Sequence, residues 1–458
     1  MAMIENILKA VGKTPLVRLN KIVPEGAAEV WAKAEFLNPA GSVKERMALY
    51  IIEKAEREGV LKPGGTIIEG SSGNTGLGIA MVAALKGYKA VITISDKMSS
   101  EKINQLKAFG AKVVICPANV PAESPHSYYE TAKRIVKETP GAFYLNQYHN
   151  PENIEAHYLW TGPEIWEETG GQFDAFVAGI GTGGTLSGIG RFIKEKNPNI
   201  KVIAVDPAGS VFYSYFKTGK LTAPHAYKVE GIGEDMLVEA MDFSVVDDLV
   251  QVTDRDCFLT ARRLTREEGL FAGGSSGGAV FVALKVAVQL GASKRVVTLL
   301  PDSGNRYLSK VFSDEWMRDN GFLDEEPRLG RVKDILNLHK RKLITAASKE
   351  LVHRVIDKMK RYDISQLPVV DDGRLAGIIR EVDLLSYMVT GRHRISEPIE
   401  AIVEKNAETI SPEASISLLS EKFMTNQDTA VVVVEGGKII GLVSKIDLID
   451  YLAKKFKD

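Results

Sequence analysis

Phe173-Asp174-Ala175-Phe176-Val177-Ala178-Gly179-Ile180-Gly181-Thr182-Gly183-Gly184-Thr185 carries a short apolar run into a glycine-rich turn, and Leu186 to Lys196 continues with the spacing of a helix. The same order recurs on both sides of it. Lys89-Ala90-Val91-Ile92-Thr93-Ile94, Ala111-Lys112-Val113-Val114-Ile115, Lys201-Val202-Ile203-Ala204-Val205 and Arg295-Val296-Val297-Thr298-Leu299-Leu300 are rich in Val and Ile, and longer helical patterns separate them. Strands covered on both faces read this way, so residues 1–323 imply an α/β fold built on parallel sheet. Ligands of such folds gather at the carboxyl ends of the strands, and the turns there are the places to look for chemistry.

Gly181 through Thr185 offers successive N–H groups, two hydroxyls and a helix N-terminus, which together suit an anion. With Gly179 the stretch also satisfies G-x-G-x-x-G, and Asp206 ends the next strand where a ribose-binding acid would lie, so a nicotinamide-dependent oxidoreductase competes. No second half with its own crevice supports that competitor. Glu69-Gly70-Ser71-Ser72-Gly73-Asn74-Thr75-Gly76 is a second strand-to-helix loop, able to hold a small carboxylate or simply to cap a helix. In Asn38-Pro39-Ala40-Gly41-Ser42-Val43-Lys44-Glu45-Arg46, Ser42 reads as an N-cap and Lys44 as a first-turn lysine. The helix dipole there would depress its pKa, as an amine nucleophile needs, although a solvated lysine is the plainer reading. Pro301-Asp302-Ser303-Gly304-Asn305-Arg306 ends a strand and can present the Ser303 hydroxyl at the sheet edge. Gly273 to Gly278 reads as a structural turn, the histidines as ordinary core or surface residues, and Cys116 as a small hydrophobe at a strand end.

The chain has 458 residues, 45% of them hydrophobic, and a formal net charge of -1. That is enough for more than one core and gives no reason to expect a nucleic-acid partner. Cys116 and Cys257 alone make no disulfide scaffold; with no signal pattern and no bilayer-length apolar run, a soluble cytoplasmic protein without a membrane partner is expected. The charged stretch Asp324 to Arg328 opens a linker, taken as 324–335. Beyond it Gly377-Ile378-Ile379-Arg380-Glu381-Val382-Asp383-Leu384 matches Gly441-Leu442-Val443-Ser444-Lys445-Ile446-Asp447-Leu448. Two copies, about 336–396 and 397–458, each reading helix, strand, turn, strand, helix, should pack into one smaller α+β module over 336–458.

A lysine amine, a phosphate cradle, an amide, a neutral hydroxyl and a carboxylate loop together describe a site for pyridoxal phosphate with an amino acid. At these residues, with Gly12-Lys13-Thr14-Pro15-Leu16-Val17, the sequence resembles the fold-type II pyridoxal phosphate enzymes. Lys97 to Lys102, Gln147-Tyr148, Val229-Glu230-Gly231-Ile232-Gly233 and Pro301 to Met317 narrow the resemblance to the cystathionine β-synthases, and the repeat resembles their tandem CBS domains. The resemblance implies that Lys44 carries the cofactor covalently and later moves the Cα proton. It implies that Asn74 bonds the ring oxygen, that Gly181, Thr182, Gly183, Gly184 and Thr185 hold the phosphate, and that Ser303 faces the ring nitrogen. Ser71, Ser72 and Thr75 would bind the substrate carboxylate, with Gln147, Tyr148, Gly231 and Gly233 on the substrate side.

The implied reaction is β-replacement: serine loses its hydroxyl and homocysteine adds to give cystathionine, with hydrogen sulfide release from cysteine as a further implied activity. A neutral serine opposite the ring nitrogen favours that loss over transamination. Cysteine synthase or O-acetylserine-dependent synthesis is the alternative, because Glu234 stands where animal members carry an aromatic residue and leaves the donor open. A non-catalytic adenosyl-nucleotide sensor is a further competitor, against the intact Lys44, Asn74 and Ser303 set. No haem is expected. An adenosyl ligand such as S-adenosylmethionine is expected, if at all, at Ser444 and Asp447, since the first repeat has Arg380 in place of the serine. A homodimer or homotetramer is the expected assembly.

Overall fold

The computed structural model describes residues 3–71, 73–96, 98–117, 120–121, 123–323, 329–338, 343–389, 394–405, 407–425 and 430–456. They fall into two compact units, 1–323 and 324–458.

The first unit holds two sheets. Strands β1 (Leu16–Leu19), β2 (Glu29–Ala34), β3 (Thr66–Gly70), β4 (Lys89–Ser95), β5 (Lys112–Cys116) and β6 (Phe143–Tyr144) come first, and β7 (Ala175–Gly179), β8 (Lys201–Pro207), β9 (Asp248–Val252) and β10 (Arg295–Leu300) follow. One sheet has the order β5-β4-β3-β6 and the other β1-β2-β10-β7-β8-β9. Every pairing in both is parallel except β1 with β2. The continuous Val/Ile runs explain this: Ala175, Phe176, Val177 and Ala178 are all buried, because helices cover both faces of the strand. Two apolar clusters flank the larger sheet and a third, around Ile52, Ile67 and Ile92, fills the smaller subdomain.

Differences from the sequence reading are local. The helix after β7 spans Gly184–Lys196, two residues earlier than its apolar pattern, because Gly183 at φ 86° lets the chain turn into it directly. The Gly273–Gly278 stretch, read as a turn before a helix, is the helix's own first turns: helix Gly274–Leu290 lies so close to helix Asp254–Arg263 that a Cβ on Gly277 would strike the Cys257 carbonyl. Cys116 ends β5 and is buried.

The second unit repeats one motif. Helix Val352–Tyr362, β11 (Gln366–Asp371), β12 (Arg374–Arg380) and helix Glu381–Val389 correspond to helix Ile416–Thr425, β14 (Ala430–Glu435), β15 (Lys438–Ser444) and helix Lys445–Lys455, while the short β13 (Thr409–Ile410) adds a parallel edge to β14. Both hairpins carry a register shift at the matching point, between Val369 and Val370 and between Val433 and Val434. The proposed linker ends too late. Its residues 324–328 lie outside the described residues, but Val332–Leu338 is a helix whose Val332 and Ile335 are buried with Ile410, Val431 and Val443. Ile399, counted with the second copy, packs instead with Val352, Leu367 and Ile379 of the first. Among the described residues no helix is long and apolar enough to cross a membrane.

Candidate active site

Lys44 opens helix Lys44–Arg57, as the spacing indicated, but Ser42 does not cap it. The Glu45 carboxylate curls back to accept the N–H groups of Ala40 and Ser42, each at 2.8 Å, and the buried Ser42 hydroxyl has no partner among the described residues. Val43 N–H to the Pro301 carbonyl (2.8 Å) and Ser303 N–H to the Gly41 carbonyl (3.1 Å) stitch this turn to the end of β10. Behind it Arg46, 1% exposed, donates to Glu35 and Glu164 at 2.7 Å. The turn is therefore rigid on three sides. The Lys44 amine faces a cavity but is ringed by protein, and this burial lowers its pKa to about 8, with the charges of Asp302 and Glu234 pulling the other way. The direction is the one the sequence suggested, and burial of the amine is its largest cause.

The second loop divides its labour. Ser71 accepts from the N–H groups of Gly73 (3.0 Å) and Gly76 (3.1 Å), so its hydroxyl shapes the loop. Thr75 donates to the Gln147 side chain at 2.5 Å, and Gln147 in turn donates to the Gly70 carbonyl at 3.1 Å. The Glu69 carboxylate accepts the N–H of Asn146 (2.7 Å) to hold that corner, and burial pushes its pKa up to about 8. Ser72 lies outside the described residues. Asn74 donates from Nδ2 to Asp302 at 2.7 Å and accepts at Oδ1 from Arg306; Tyr307 donates to the same Asp302 oxygen at 2.6 Å. The other Asp302 oxygen is buried without a partner among the described residues. Ser303 is half-buried, accepting from Asn305 N–H at 3.3 Å.

In the third loop, backbone presses on backbone. A Cβ on Gly181 would lie 2.8 Å from the Gly231 carbonyl, and one on Gly183 would lie 2.5 Å from Met241 Cα. Thr182 accepts from Asn153 at 3.1 Å, and Thr185 shares a hydrogen bond of 3.1 Å with His157. His157 was read as an ordinary histidine. It is a core residue whose burial, with the nearby Lys44 and Arg46 charges, holds it neutral, and it orients the cradle threonine.

These loops meet at one cavity of about 710 Å³ between the two sheets. Lys44, Asn74, Thr75, Gln147, Tyr148, Gly181, Thr182, Gly231 and Gly233 line it; Ser71, Gly183, Gly184, Thr185 and Ser303 stand in the loops behind. Sequence reasoning missed several neighbours. Lys102, 1% exposed, pairs with Glu230 and lies 4.7 Å over the Tyr307 ring, and Lys310 pairs with the other Glu230 oxygen at 2.7 Å. Three of the motifs that narrowed the resemblance, those carrying Lys102, Glu230 and Tyr307 with Lys310, thus meet in one wall, which spacing alone could not reveal. Tyr128, Tyr129 and Tyr148 form another, with ring centroids 3.9 and 5.4 Å apart. Asp206 is no ribose ligand: it is buried, accepts the Tyr213 N–H at 3.0 Å, and burial raises its pKa to about 7. Ser444 and Asp447 form a capping box at helix Lys445–Lys455, each accepting the other's backbone N–H (3.3 and 3.0 Å).

Comparison with known proteins agrees with this geometry. Residues 7–302 match the family described as pyridoxal-phosphate dependent enzyme, and residues 332–390 and 399–454 each match the CBS domain. The chain is 39% identical to a cystathionine beta-synthase of Dictyostelium discoideum across 98% of this chain and 92% of that one. It is 45% identical to a cysteine synthase of Staphylococcus aureus, across 67% of this chain and 96% of that one. The crystal structure of an O-ureido-L-serine synthase superposes with a TM-score of 0.64 at 35% identity, covering 71% of this chain and 98% of that one. The residues at the cavity fit pyridoxal phosphate: a buried amine of lowered pKa, a glycine turn at a helix N-terminus, and an asparagine held in one orientation. The parallel-sheet catalytic unit, its lysine-floored cavity and the paired repeats place the chain among the pyridoxal-phosphate dependent enzymes, in the cystathionine beta-synthase family.

Proposed function

We propose that this enzyme condenses L-serine with L-homocysteine to L-cystathionine by β-replacement. The observation that carries the proposal is the Lys44 amine, brought to a pKa of about 8, on the floor of a cavity shared with the Thr75–Gln147 pair and the Lys102–Glu230–Lys310 wall. Pyridoxal phosphate, when bound, supplies the electron sink that makes the donor Cα proton acidic. Lys44 Nζ then takes that proton, and a near-neutral pKa suits an amine that must both accept and release it. Thr75, with Ser71 and Ser72, holds the donor carboxylate; Ser71 does so by fixing the loop whose N–H groups it binds. Gly181 to Thr185 hold the phosphate at the helix N-terminus, Asn74 and Ser303 address the ring, and Tyr148 with Gly231 and Gly233 close the substrate side. The packed rings of Tyr128, Tyr129 and the buried Tyr148 restrict water at the donor while the β-substituent leaves.

Purified enzyme supplied with serine and homocysteine, or with O-acetylserine and sulfide, and analysed by mass, tests the reading. Cystathionine from the first mixture supports it, and cysteine from the second alone favours the cysteine synthase alternative. We also propose a cytoplasmic homodimer or homotetramer. For an adenosyl ligand, the Ser444–Asp447 pair is the proposed contact in the second repeat, and it would have to give up part of its capping box. Binding of S-adenosylmethionine that survives Asp447→Ala refutes that site.

A further inference from the structure

Three acidic residues line the cavity, Glu230, Glu234 and the exposed Asp235, and the two glutamates have different surroundings. Glu230 sits between two lysines, Lys102 and Lys310. Glu234 stands further along the same loop and takes a hydrogen bond from the Tyr129 hydroxyl at 3.4 Å. Its backbone is pinned at both ends: its N–H donates to Ser210 Oγ at 3.1 Å, its carbonyl accepts the Val211 N–H at 3.0 Å, and Gly233 before it donates to the Ile180 carbonyl at 2.7 Å. These contacts fix the point from which the side chain reaches into the cavity, and the Tyr129 hydroxyl meets its carboxylate there. Its charge reaches the site: it opposes the lowering of the Lys44 pKa and helps to keep the hydroxyls of Tyr128, Tyr129, Tyr148 and Tyr227 protonated.

A carboxylate at a cavity wall is placed for a cation. In β-replacement the donor's amine is committed to the cofactor and its carboxylate to the Ser71–Thr75 loop. The ammonium that remains is the acceptor's. We propose that Glu234 is the acceptor subsite, binding the ammonium group of an amino-acid thiol and selecting it over sulfide. Sulfide has no ammonium group, and as hydrosulfide its negative charge is repelled by the same carboxylate. The inference rests on the β-replacement reading and names which acceptor class that reaction takes.

The test compares three acceptors with serine as donor, using full-length enzyme loaded with pyridoxal phosphate: L-homocysteine, 4-mercaptobutyrate and sulfide. The second keeps the carbon chain, thiol and carboxylate and lacks the amine. The wild type is expected to favour homocysteine over 4-mercaptobutyrate in kcat/KM by roughly 10- to 100-fold, as one charge-assisted contact supplies. Glu234→Gln is expected to lower that ratio at least 10-fold, mainly through KM for homocysteine, and to raise sulfide relative to homocysteine. Glu234→Asp, which keeps the charge, should stay nearer the wild type. A ratio unchanged in Glu234→Gln overturns the inference. If that variant holds no cofactor, the wild type decides, because equal use of the two organic thiols overturns it as well. A wild type that forms thioether from neither organic thiol refutes the serine-and-homocysteine reading together with the inference; one that forms it from both equally refutes only the role of Glu234.

Discussion

Asn74 is held from both ends of its amide, and this makes its orientation a property of two other residues. Arg306 is 1% exposed and donates to Oδ1; Asp302 is fully buried and accepts from Nδ2. An amide flip would bring donor to donor and acceptor to acceptor, so the second Nδ2 hydrogen keeps one direction. Arg306→Leu is therefore expected to weaken retention of pyridoxal phosphate roughly 10-fold, the scale of one charged hydrogen bond, as read by dialysis and absorbance. Unaltered retention would make Arg306 merely a packing residue. Lys44 gives a pH prediction. Its pKa is lowered from 10.5 to about 8, and the neutral amine is the nucleophile. Cofactor uptake by the cofactor-free protein should accelerate with pH, be half-maximal near 8 and level off above it; a midpoint near 10.5 would contradict the burial argument. Between these values the unfolded chain binds a proton that the folded chain does not, so stability due to Lys44 rises as pH goes from 8 to 10.5 and is lost as pH falls through 8. The lysine was legible in its motif. Arg306, Glu69 and His157 were not, because their roles depend on partners brought in from distant segments of the chain.

At the scale of elements, what could be read depended on how locally each was determined. β4, β7, β8 and β10 lie where their Val/Ile runs put them, since a strand buried on both faces leaves a mark that needs no partner to interpret. The Ser42 cap failed for the opposite reason: two good acceptors stood within one turn, and only the fold selected Glu45. Close helix contact is a third case, visible as glycines whose purpose the sequence leaves open. Gly277 and Gly278 abut Cys257 on helix Asp254–Arg263. Gly277→Ala must push the two helices apart, at a cost of about 1–3 kcal/mol or more. The check is a lowered midpoint for the catalytic unit in thermal unfolding. A Gly277→Ala protein of unchanged midpoint would show that the helix pair is loosely packed.

Across the whole molecule, the second unit has an organisation that its repeat conceals. Self-similarity suggests two copies in sequence order, and the copies do fold alike. Yet each core borrows from a segment placed elsewhere in the chain: Val332 and Ile335, ahead of the first copy, fill the core of the second, and Ile399, which follows the first hairpin, completes the first. Periodicity finds hairpins because both carry the pattern; it cannot assign a short helix that satisfies either apolar face. The exchange ties the copies together, since neither core closes with only its own residues. Two substitutions in the full chain separate this from the sequence-order arrangement. Ile335→Ala, at a site 1% exposed, is expected to cost about 2–5 kcal/mol and to speed amide exchange chiefly in β14 and β15. Ile399→Ala, at a site 0% exposed, should do the same chiefly in β11 and β12. Sequence order predicts the reverse for Ile399, which would then loosen β14 and β15. Exchange that followed sequence order would mean that the helices pack at home and that the exchanged cores are wrong.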